Sequence, residues 1–365
     1  MSSLVAAIDD GGESEDDADL SLDELVLLLS NLEIPVAGRV LQRRRSPDPG
    51  TFLGKGKALE IKHFAVAVGA NLLVVDNSLS PTQRSNLAAM TGLEVWDRAY
   101  TIMKIFEQRA VTSEAKLQVE LAKLRYEIPS LKGLGHQMSR LGGGIGTRGP
   151  GETEFERHRR KLERRIKHIE KSLAGVSRRR ERHRYRRARD GAEVVSLVGY
   201  TNSGKSTLLR AMSRDAGIVA ENRLFSTLDT VTRSVEGPDG WGFLLSDTVG
   251  FIRHLPPELI AAFRSTLEEV TGADMLYVVV DASSPEPARA FEVVLDTLRE
   301  IGADEIPRIV VLNKMDRAGE ELQFVEAGLV SGREETVRVS ALTGDGLPEL
   351  LRRTRRKLCG SLMNS

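Results

Sequence analysis

The sequence predicts an α/β protein in which two regions of parallel sheet are separated by a pair of long helices. Short apolar segments alternate with helical segments in both regions, and this alternation is typical of parallel sheets covered by helices. Between the two regions, apolar residues from Phe155 to Val176 recur at steps of seven, four and three, as they do in paired helices. The length of 365 residues allows two or three domains.

The charges balance, with 52 Lys and Arg against 52 Asp and Glu, but they are unevenly distributed. The chain is acidic from Asp9 to Glu24 and strongly basic from Arg157 to Arg189. Such blocks predict a polar tail and a segment that faces nucleic acid. The single cysteine, Cys359, excludes an internal disulfide and fits a reducing compartment. No apolar run approaches the ~20 residues of a membrane span, so we expect a soluble, cytoplasmic protein, and a monomer.

We expect four segments: an acidic, disordered N-terminal segment (1–35), an α/β subdomain (36–110), a helical hairpin (111–190) and a second α/β domain (191–365). A short helix over Leu22–Leu29 is the one element expected in the first. In the subdomain, the expected strands are Val36–Leu41, Leu72–Val75 and Glu94–Trp96, and the expected helices are Lys57–Val68 and Pro81–Met90.

The hairpin is predicted from two helices, Thr112–Ile128 and Glu152–Arg187, each with a line of apolar residues along one face. Pro129 is expected to end the first. Residues 129–151 are rich in glycine and form the tip. They are either a flexible connector or, with Lys132, Arg140 and Arg148, a tip that probes RNA. The basic helix is either a solvated face or a set of phosphate contacts, and we favour the contacts because nearby acidic residues are too few to balance it.

The second α/β domain is predicted to hold a doubly wound, mostly parallel sheet. The expected strands are Val194–Val198, Gly242–Ser246, Met275–Val280, Arg308–Leu312 and Thr336–Val339. The expected helices are Lys205–Arg214, Pro257–Val270, Glu286–Ile301 and Leu347–Lys357.

A phosphate-binding loop is predicted directly after the first of these strands. The segment from Gly199 to Ser206 fits the pattern G-x-x-x-x-G-K-[ST] and opens a helix. Its glycines let backbone N–H groups wrap phosphates, and the helix N-terminus favours negative charge. Lys205 can reach the β- and γ-phosphates, and Ser206 offers a hydroxyl to Mg²⁺.

Two further segments complete a phosphate and metal site. Asp247 ends a strand and can hold Mg²⁺ through water, while Gly250 lets a backbone N–H approach the γ-phosphate. Between the loop and Asp247, a threonine is expected to bind Mg²⁺ and to sense the γ-phosphate as part of a switch. There are three candidates for this role, Thr227, Thr230 and Thr232, and we prefer Thr227.

The base is predicted to be guanine. Asn313, Lys314 and Asp316 follow a strand, and the Asp316 carboxylate can accept from the guanine N1–H and exocyclic amine. Adenine would leave that carboxylate unpaired, at a cost of ~1–3 kcal/mol or more. The backbone of residues 340–342 can contact the guanine O6. The bound molecules are therefore expected to be GTP or GDP with Mg²⁺, and the activity GTP hydrolysis.

The predicted site has three overlapping sets of residues. The nucleotide contacts are Gly199, Tyr200, Thr201, Asn202, Ser203, Gly204, Lys205, Ser206, Thr207, Phe225, Thr227, Asp247, Gly250, Asn313, Lys314, Asp316, Ser340, Ala341 and Leu342. The metal ligands are Ser206, Thr227 and Asp247, and the catalytic set is Lys205, Thr227 and Gly250. Phe251 stands where Ras-type GTPases carry a glutamine that orients water. It either leaves hydrolysis slow until another group completes the site, or simply packs.

Several motifs together resemble the HflX family of P-loop GTPases, within the Obg–HflX superfamily. They are Phe52–Lys57, Leu79–Leu87, Phe106–Ala110, Leu117–Leu121, Gly142–Glu152 and Asp247–Phe251. The resemblance runs from about Arg39 to about Lys357, and Thr230-Val231 departs from the Pro-Thr usual in the family.

The resemblance implies a small α/β subdomain, a long helical hairpin and a GTPase domain. It also implies binding to the large ribosomal subunit and its rRNA, with GTP hydrolysis stimulated there, in the splitting, rescue or recycling of ribosomes. Two alternatives remain open: a GTP-dependent ribosome-assembly or tRNA-modification factor, and an RNA-binding protein with little turnover.

Overall fold

The computed structural model describes residues 1–9, 15–141, 150–189, 191–213, 215, 225, 230–237, 240–253, 259, 264–318 and 335–361. The chain divides into two compact units, residues 1–108 with 116–172 and residues 109–115 with 173–365. Each unit contains one sheet covered by helices, parallel in the first unit and mostly parallel in the second, as the alternation of strand and helix signals predicts. Within the described ranges, no helix is long and apolar enough to cross a membrane.

The first unit is built on a four-stranded parallel sheet in the order β2-β1-β3-β4. Its strands are β1 (Ser3–Asp9), β2 (Val36–Arg43), β3 (Leu72–Val75) and β4 (Glu94–Asp97). Its first four helices are α1 (Glu15–Asn31), α2 (Lys55–Val68), α3 (Pro81–Thr91) and α4 (Arg98–Arg109). The predicted strands after residue 36 and the helices α2 and α3 are confirmed, with ends shifted by a few residues at most.

The expectation of a disordered N-terminal segment is wrong. β1 lies inside the sheet and pairs with both β2 and β3, and Leu4, Val5 and Ala6 are fully buried. The acidic residues that follow suggested a solvated tail, but the run from Leu4 to Ile8 is entirely apolar, as in strands covered on both faces. Four leucines of α1 are buried against the sheet side of that helix, namely Leu22, Leu25, Leu28 and Leu29, whereas Leu27 is exposed.

Helix α4 was not predicted, and it begins with a charged residue that is almost completely buried. Arg98 is 2% exposed and forms ion pairs with Glu24 of α1 and with Asp76, the latter at 2.6 Å. The hydroxyl of Ser21 donates to the same Asp76 carboxylate. Because a buried charge is tolerated when it is paired and hydrogen-bonded, this polar network lets α1 and α4 pack at the carboxyl end of the sheet.

Two long helices follow, α5 (Ser113–Leu141) and α6 (Pro150–Arg189). Ion pairs between Arg165 and Glu120 and between Arg125 and Glu170 hold them side by side, as the predicted hairpin requires. The expectation that Pro129 ends the first helix is wrong. This exposed proline lies within α5, because proline removes only one helical hydrogen bond and is accommodated as a local defect. Residues 129–141, predicted as part of the glycine-rich tip, belong to α5, and residues 142–149 lie outside the described ranges.

The second unit contains a six-stranded sheet in the order β10-β9-β8-β5-β7-β6. Its strands are β5 (Val194–Gly199), β6 (Val231–Glu236), β7 (Gly242–Asp247), β8 (Met275–Asp281), β9 (Arg308–Asn313) and β10 (Glu335–Arg338). The five predicted strands are confirmed and are parallel. The sixth, β6, was not predicted. It pairs antiparallel to β7 at the edge of the sheet, and only Val235 among its residues is fully buried, which weakens the strand signal.

Helices cover both faces of this sheet. They are α7 (Lys205–Ser213), α8 (Arg264–Thr271), α9 (Pro287–Glu300) and α10 (Leu347–Ser361). Apolar residues of α7 and α10 join one buried core, and those of α8 and α9 join the other. The predicted helix Pro257–Val270 is described only from Arg264 onward, apart from Leu259. The chain order reverses at β5, between β7 and β8, and this is where open parallel sheets bind ligands.

Candidate functional site

The loop between β5 and α7 requires glycine at both glycine positions of the pattern G-x-x-x-x-G-K-[ST]. Gly204 has a φ of +94°, and a Cβ there would collide with the side-chain amide nitrogen of Asn313. A Cβ on Gly199 would collide with the backbone carbonyl oxygen of Val279 on β8. Between them, Asn202 adopts a φ of +62°. The backbone thus makes the tight turn expected of a phosphate-binding loop and opens directly into α7.

Lys205 is buried beneath this loop. Its Nζ donates to the carbonyl oxygens of Gly199 at 3.0 Å and Tyr200 at 2.8 Å. Burial lowers the pKa of Lys205 to about 8, the Asp247 carboxylate opposes this shift, and Lys314 adds to it. A phosphate bound in the loop would favour the charged ammonium, so the loop is arranged to take an anion.

A pair of oxygen ligands suited to Mg²⁺ lies beside Lys205. The hydroxyl of Ser206 donates to Asp247 Oδ2 at 2.6 Å, and the Asp247 side chain is 1% exposed. A hydroxyl and a carboxylate on adjacent elements are the donors that Mg²⁺ takes in nucleotide sites, along with water and phosphate oxygens. Of the three predicted metal ligands, these two are brought together, and Thr227 lies outside the described residues.

The segment after β7 is fastened to the phosphate loop by its backbone. The N–H of Thr201 donates to the Phe251 carbonyl at 2.7 Å, and the N–H of Phe251 donates to the Gly199 carbonyl at 3.0 Å. The neighbouring Gly250 has no room for a side chain, because a Cβ there would lie 3.0 Å from both Lys205 Nζ and Thr201 Cα. Gly250 therefore sits where its backbone can approach a terminal phosphate.

The side chain of Phe251 is 1% exposed and belongs to the apolar core under α8 and α9. Burial confirms that Phe251 packs; it does not bear on the other interpretation, in which hydrolysis stays slow until another group completes the site. A side chain held in the core cannot orient a water molecule at the phosphate.

The predicted base-binding loops are joined by side-chain hydrogen bonds. Asn313 is 1% exposed; its amide nitrogen donates to the Ser203 carbonyl at 2.9 Å, and its amide oxygen accepts from the N–H of Ala341 at 3.0 Å. The hydroxyl of Ser340 donates to Asp316 Oδ1 at 2.7 Å. This bond, more than the partial burial that opposes it, lowers the pKa of Asp316, so the carboxylate is held ionised and ready to accept from a base.

Lys314 has an unusual backbone conformation and a side chain that an ion pair holds in place. It has a φ of +64°, uncommon for a residue with a Cβ. Its Nζ forms an ion pair of 2.7 Å with Asp281 at the end of β8. This pair holds the aliphatic stem along the cleft, where it can cover one face of a planar base.

These groups line one cleft of about 240 Å³ in the second unit. Predicted residues that line it are Thr201, Asn202, Gly204, Lys205, Ser206, Thr207, Phe225, Gly250, Asn313, Lys314, Asp316, Ala341 and Leu342. Five further predicted residues are joined to this lining by the hydrogen bonds described above. They are Gly199, Tyr200, Ser203, Asp247 and Ser340. The cleft is also lined by Arg210, Thr248 and Arg317, which were not predicted. Arg210 could have been found from its position one helical turn after Ser206, and the other two from their place next to Asp247 and Asp316.

Three family profiles match the chain in sequence. Residues 19–107 match the N-terminal region of GTP-binding GTPases, and residues 109–187 match their middle region. Residues 194–314 match the 50S ribosome-binding GTPase profile, and this segment contains the phosphate loop and Asn313.

Curated relatives match over nearly the whole chain. The GTPase HflX of Lacrimispora saccharolytica is 46% identical over 351 residues, which are 95% of this chain and 81% of that protein. The GTPase HflX of Escherichia coli K12 is 41% identical over 342 residues, 93% of this chain and 80% of that protein. Among solved structures, the complex of SsGBP with GDP aligns over 99% of both chains with a TM-score of 0.51 at 25% identity. This last similarity supports the fold.

Proposed function

Because the chain belongs to the HflX family of GTPases, we propose that it is a ribosome-associated GTPase. It hydrolyses GTP, and in the proposal it does so while bound to the large ribosomal subunit, in ribosome splitting, rescue or recycling. The observation that carries the proposal is the match of residues 194–314 to the 50S ribosome-binding GTPase profile, on the segment that holds the cleft. The cytoplasm is then the compartment in which it works.

In the proposed reaction, the cleft holds GTP along its length. Backbone N–H groups of the phosphate loop and the Lys205 ammonium bind the phosphates, and Gly250 contacts the terminal one. Ser206 and Asp247, with Thr227, would hold Mg²⁺, and the bound ion would neutralise charge on the phosphate oxygens. Asp316 accepts two hydrogen bonds from guanine, while Asn313 and the Lys314 stem shape its pocket.

The basic helix α6 supports a nucleic-acid partner. In its described part, Arg157, Lys161 and Lys167 are exposed, and basic residues far outnumber acidic ones from Arg157 to Arg189. Phosphate contacts by such residues provide affinity that falls steeply as salt concentration rises. The rRNA of the large subunit is the partner that fits both this helix and the matched profile.

The direct test is GTP hydrolysis by the purified protein, alone and with separated small and large ribosomal subunits. Stimulation by the large subunit alone supports the proposal. Equal stimulation by both subunits, or none by either while GTP still binds, contradicts it and favours the assembly, modification or RNA-binding alternatives.

A pair of charge-reversal variants sharpens this test. K161E with K167E on α6 is expected to weaken stimulation and to reduce the salt dependence of subunit binding. K55E with K62E, charge reversals at two exposed positions on α2, is the matched control and is expected to behave as wild type. Equal loss in both variants would show a general charge effect and would contradict the role of α6.

A further inference from the structure

The cleft contains one buried hydroxyl whose hydrogen-bonding capacity is unused. Thr201 lines the cleft and is 7% exposed, and its Oγ1 is buried without a hydrogen-bond partner in the part of the chain that the structure describes. Buried hydroxyls in native proteins nearly always have a partner, and an exception calls for an explanation such as a catalytic role or an absent ligand. Thr201 therefore points to a partner that the described residues do not supply.

The backbone around Thr201 places this side chain at the phosphate end of the cleft. The Thr201 N–H is bonded to the Phe251 carbonyl, which fixes the residue against the segment after β7. A Cβ built on Gly250 would lie 3.0 Å from Thr201 Cγ2 and 3.0 Å from Lys205 Nζ. Thr201, Gly250 and the Lys205 ammonium thus converge on one small volume, the volume assigned above to the terminal phosphate.

Phe251, the residue after Gly250, supplies no side-chain hydrogen bond in that volume. Phe251 is packed in the apolar core and offers no polar atom. Phosphoryl transfer by P-loop enzymes depends almost entirely on positioning and on hydrogen bonds to charge that develops in the transition state. A hydroxyl beside Gly250 is placed to supply such a bond.

We propose that the Thr201 hydroxyl is a catalytic group that hydrogen-bonds the γ-phosphoryl group of GTP in the transition state. Water attacks the γ-phosphorus, the bond from that phosphorus to the β–γ bridging oxygen breaks, and GDP leaves with the electron pair. The proton of water passes to the released phosphate, and Thr201 keeps its own proton and only donates a hydrogen bond. This inference goes beyond the backbone contact predicted for Thr201, and it rests on the proposed assignment of the cleft to GTP.

Three variants test the proposal in single-turnover GTP hydrolysis and in binding of GDP and a non-hydrolysable GTP analogue. T201V keeps the shape and removes the hydroxyl, so we expect the rate constant of hydrolysis to fall by about 10- to 100-fold while both affinities stay within about twofold. T201S restores the hydroxyl and is expected to recover most of the rate. A purely structural role would not separate rate from affinity in this way.

T336V is the matched control, because Thr336 Oγ1 on β10 is also buried without a partner in the described ranges but lies outside the cleft. It is expected to hydrolyse GTP as wild type. The proposal is overturned if T201V hydrolyses GTP at the wild-type rate, or if T201S is as slow as T201V. If the assignment of the cleft to GTP is itself wrong, the result differs: the wild type and all three variants would then bind neither GDP nor the GTP analogue.

Discussion

The side-chain amide of Asn313 donates a 2.9 Å hydrogen bond to the backbone carbonyl of Ser203, and this bond joins the base-binding loop to the phosphate loop. The other end of the same amide accepts from the Ala341 N–H at 3.0 Å. Gly204 leaves the space that the amide occupies, since a Cβ there would collide with it. One buried side chain therefore fixes the mutual positions of three loops that are far apart in the sequence.

We expect Asn313→Ala to weaken GDP binding by at least about tenfold and to lower the free energy of unfolding of the second unit. The substitution leaves the Ser203 carbonyl and the Ala341 N–H without their partner, and a buried polar group left unpaired costs ~1–3 kcal/mol. Isothermal titration with GDP and urea unfolding measure the two effects. Asn71→Ala is the control, because Asn71 accepts an exposed bond from Ser2 outside the cleft; an equal loss of GDP affinity there would contradict the prediction.

Asp316→Asn is expected to change the base that the protein prefers. The carboxylate can accept both guanine protons, whereas an amide accepts one and presents its own N–H₂ to the other. A xanthine base, which carries a carbonyl in place of the exocyclic amine, suits the amide better. The check is competition between GTP and xanthosine triphosphate, with preference moving toward the xanthosine nucleotide by at least about tenfold. An unchanged preference for GTP would mean that Asp316 does not contact the base.

The parts of the site that were predictable are those encoded by short segments. The phosphate loop, Asp247, Gly250 and Asn313 each follow an apolar strand directly, and parallel strands bring their carboxyl ends to one edge of the sheet. The relationships between these segments were not predictable, because they depend on tertiary packing. The burial of Phe251 and the isolated hydroxyl of Thr201 are of this kind.

Errors in the predicted fold arise where a local signal competes with tertiary packing. The acidic residues from Asp9 onward favour a solvated segment, and this signal competes with the apolar run that forms β1. Helix α4 was not predicted; the burial of Arg98 at its start depends on the ion pair with Asp76, a tertiary contact that the local sequence does not indicate. Proline usually ends a helix, which is why Pro129 was predicted to do so, but α5 continues past it.

The central position of β1 predicts that Ala6→Asp unfolds the first unit or destabilises it by about 3–5 kcal/mol, since it places an unpaired charge in the core. Ala6 is fully buried between β2 and β3. The same substitution at Ala37, an exposed residue of the edge strand β2, is expected to cost less than about 1 kcal/mol. Urea unfolding can be followed by Trp96 fluorescence in a Trp241→Phe background, which leaves one tryptophan. Similar stability of the two variants would contradict the placement of β1.

A buried carboxylate in the same unit predicts how the stability of that unit depends on pH. Asp97 is fully buried; it accepts from the N–H groups of Tyr100 and Leu79 and from the hydroxyl of Tyr126 at 2.8 Å. Burial raises the pKa of Asp97, and these hydrogen bonds only partly oppose it. Burial and the Asp97 carboxylate also raise the pKa of Tyr126, so the phenol keeps its proton and remains a donor.

The native state therefore holds the Asp97 proton to a higher pH than the unfolded chain does. The resulting stability is fully present below about pH 4, where the unfolded carboxyl is protonated, and is lost as pH rises through the native pKa. Tyr126→Phe removes a bond that favours the carboxylate, so the pKa of Asp97 rises further and more stability is lost. We expect the deficit of this variant relative to wild type to be about 1 kcal/mol larger at pH 7 than at pH 4, measured by urea unfolding with Trp96 fluorescence. The control is Tyr185→Phe on α6, which removes the hydroxyl of a tyrosine remote in sequence from Asp97. If the deficit of Tyr126→Phe is the same at both pH values, the Tyr126 hydroxyl does not act on the Asp97 carboxylate.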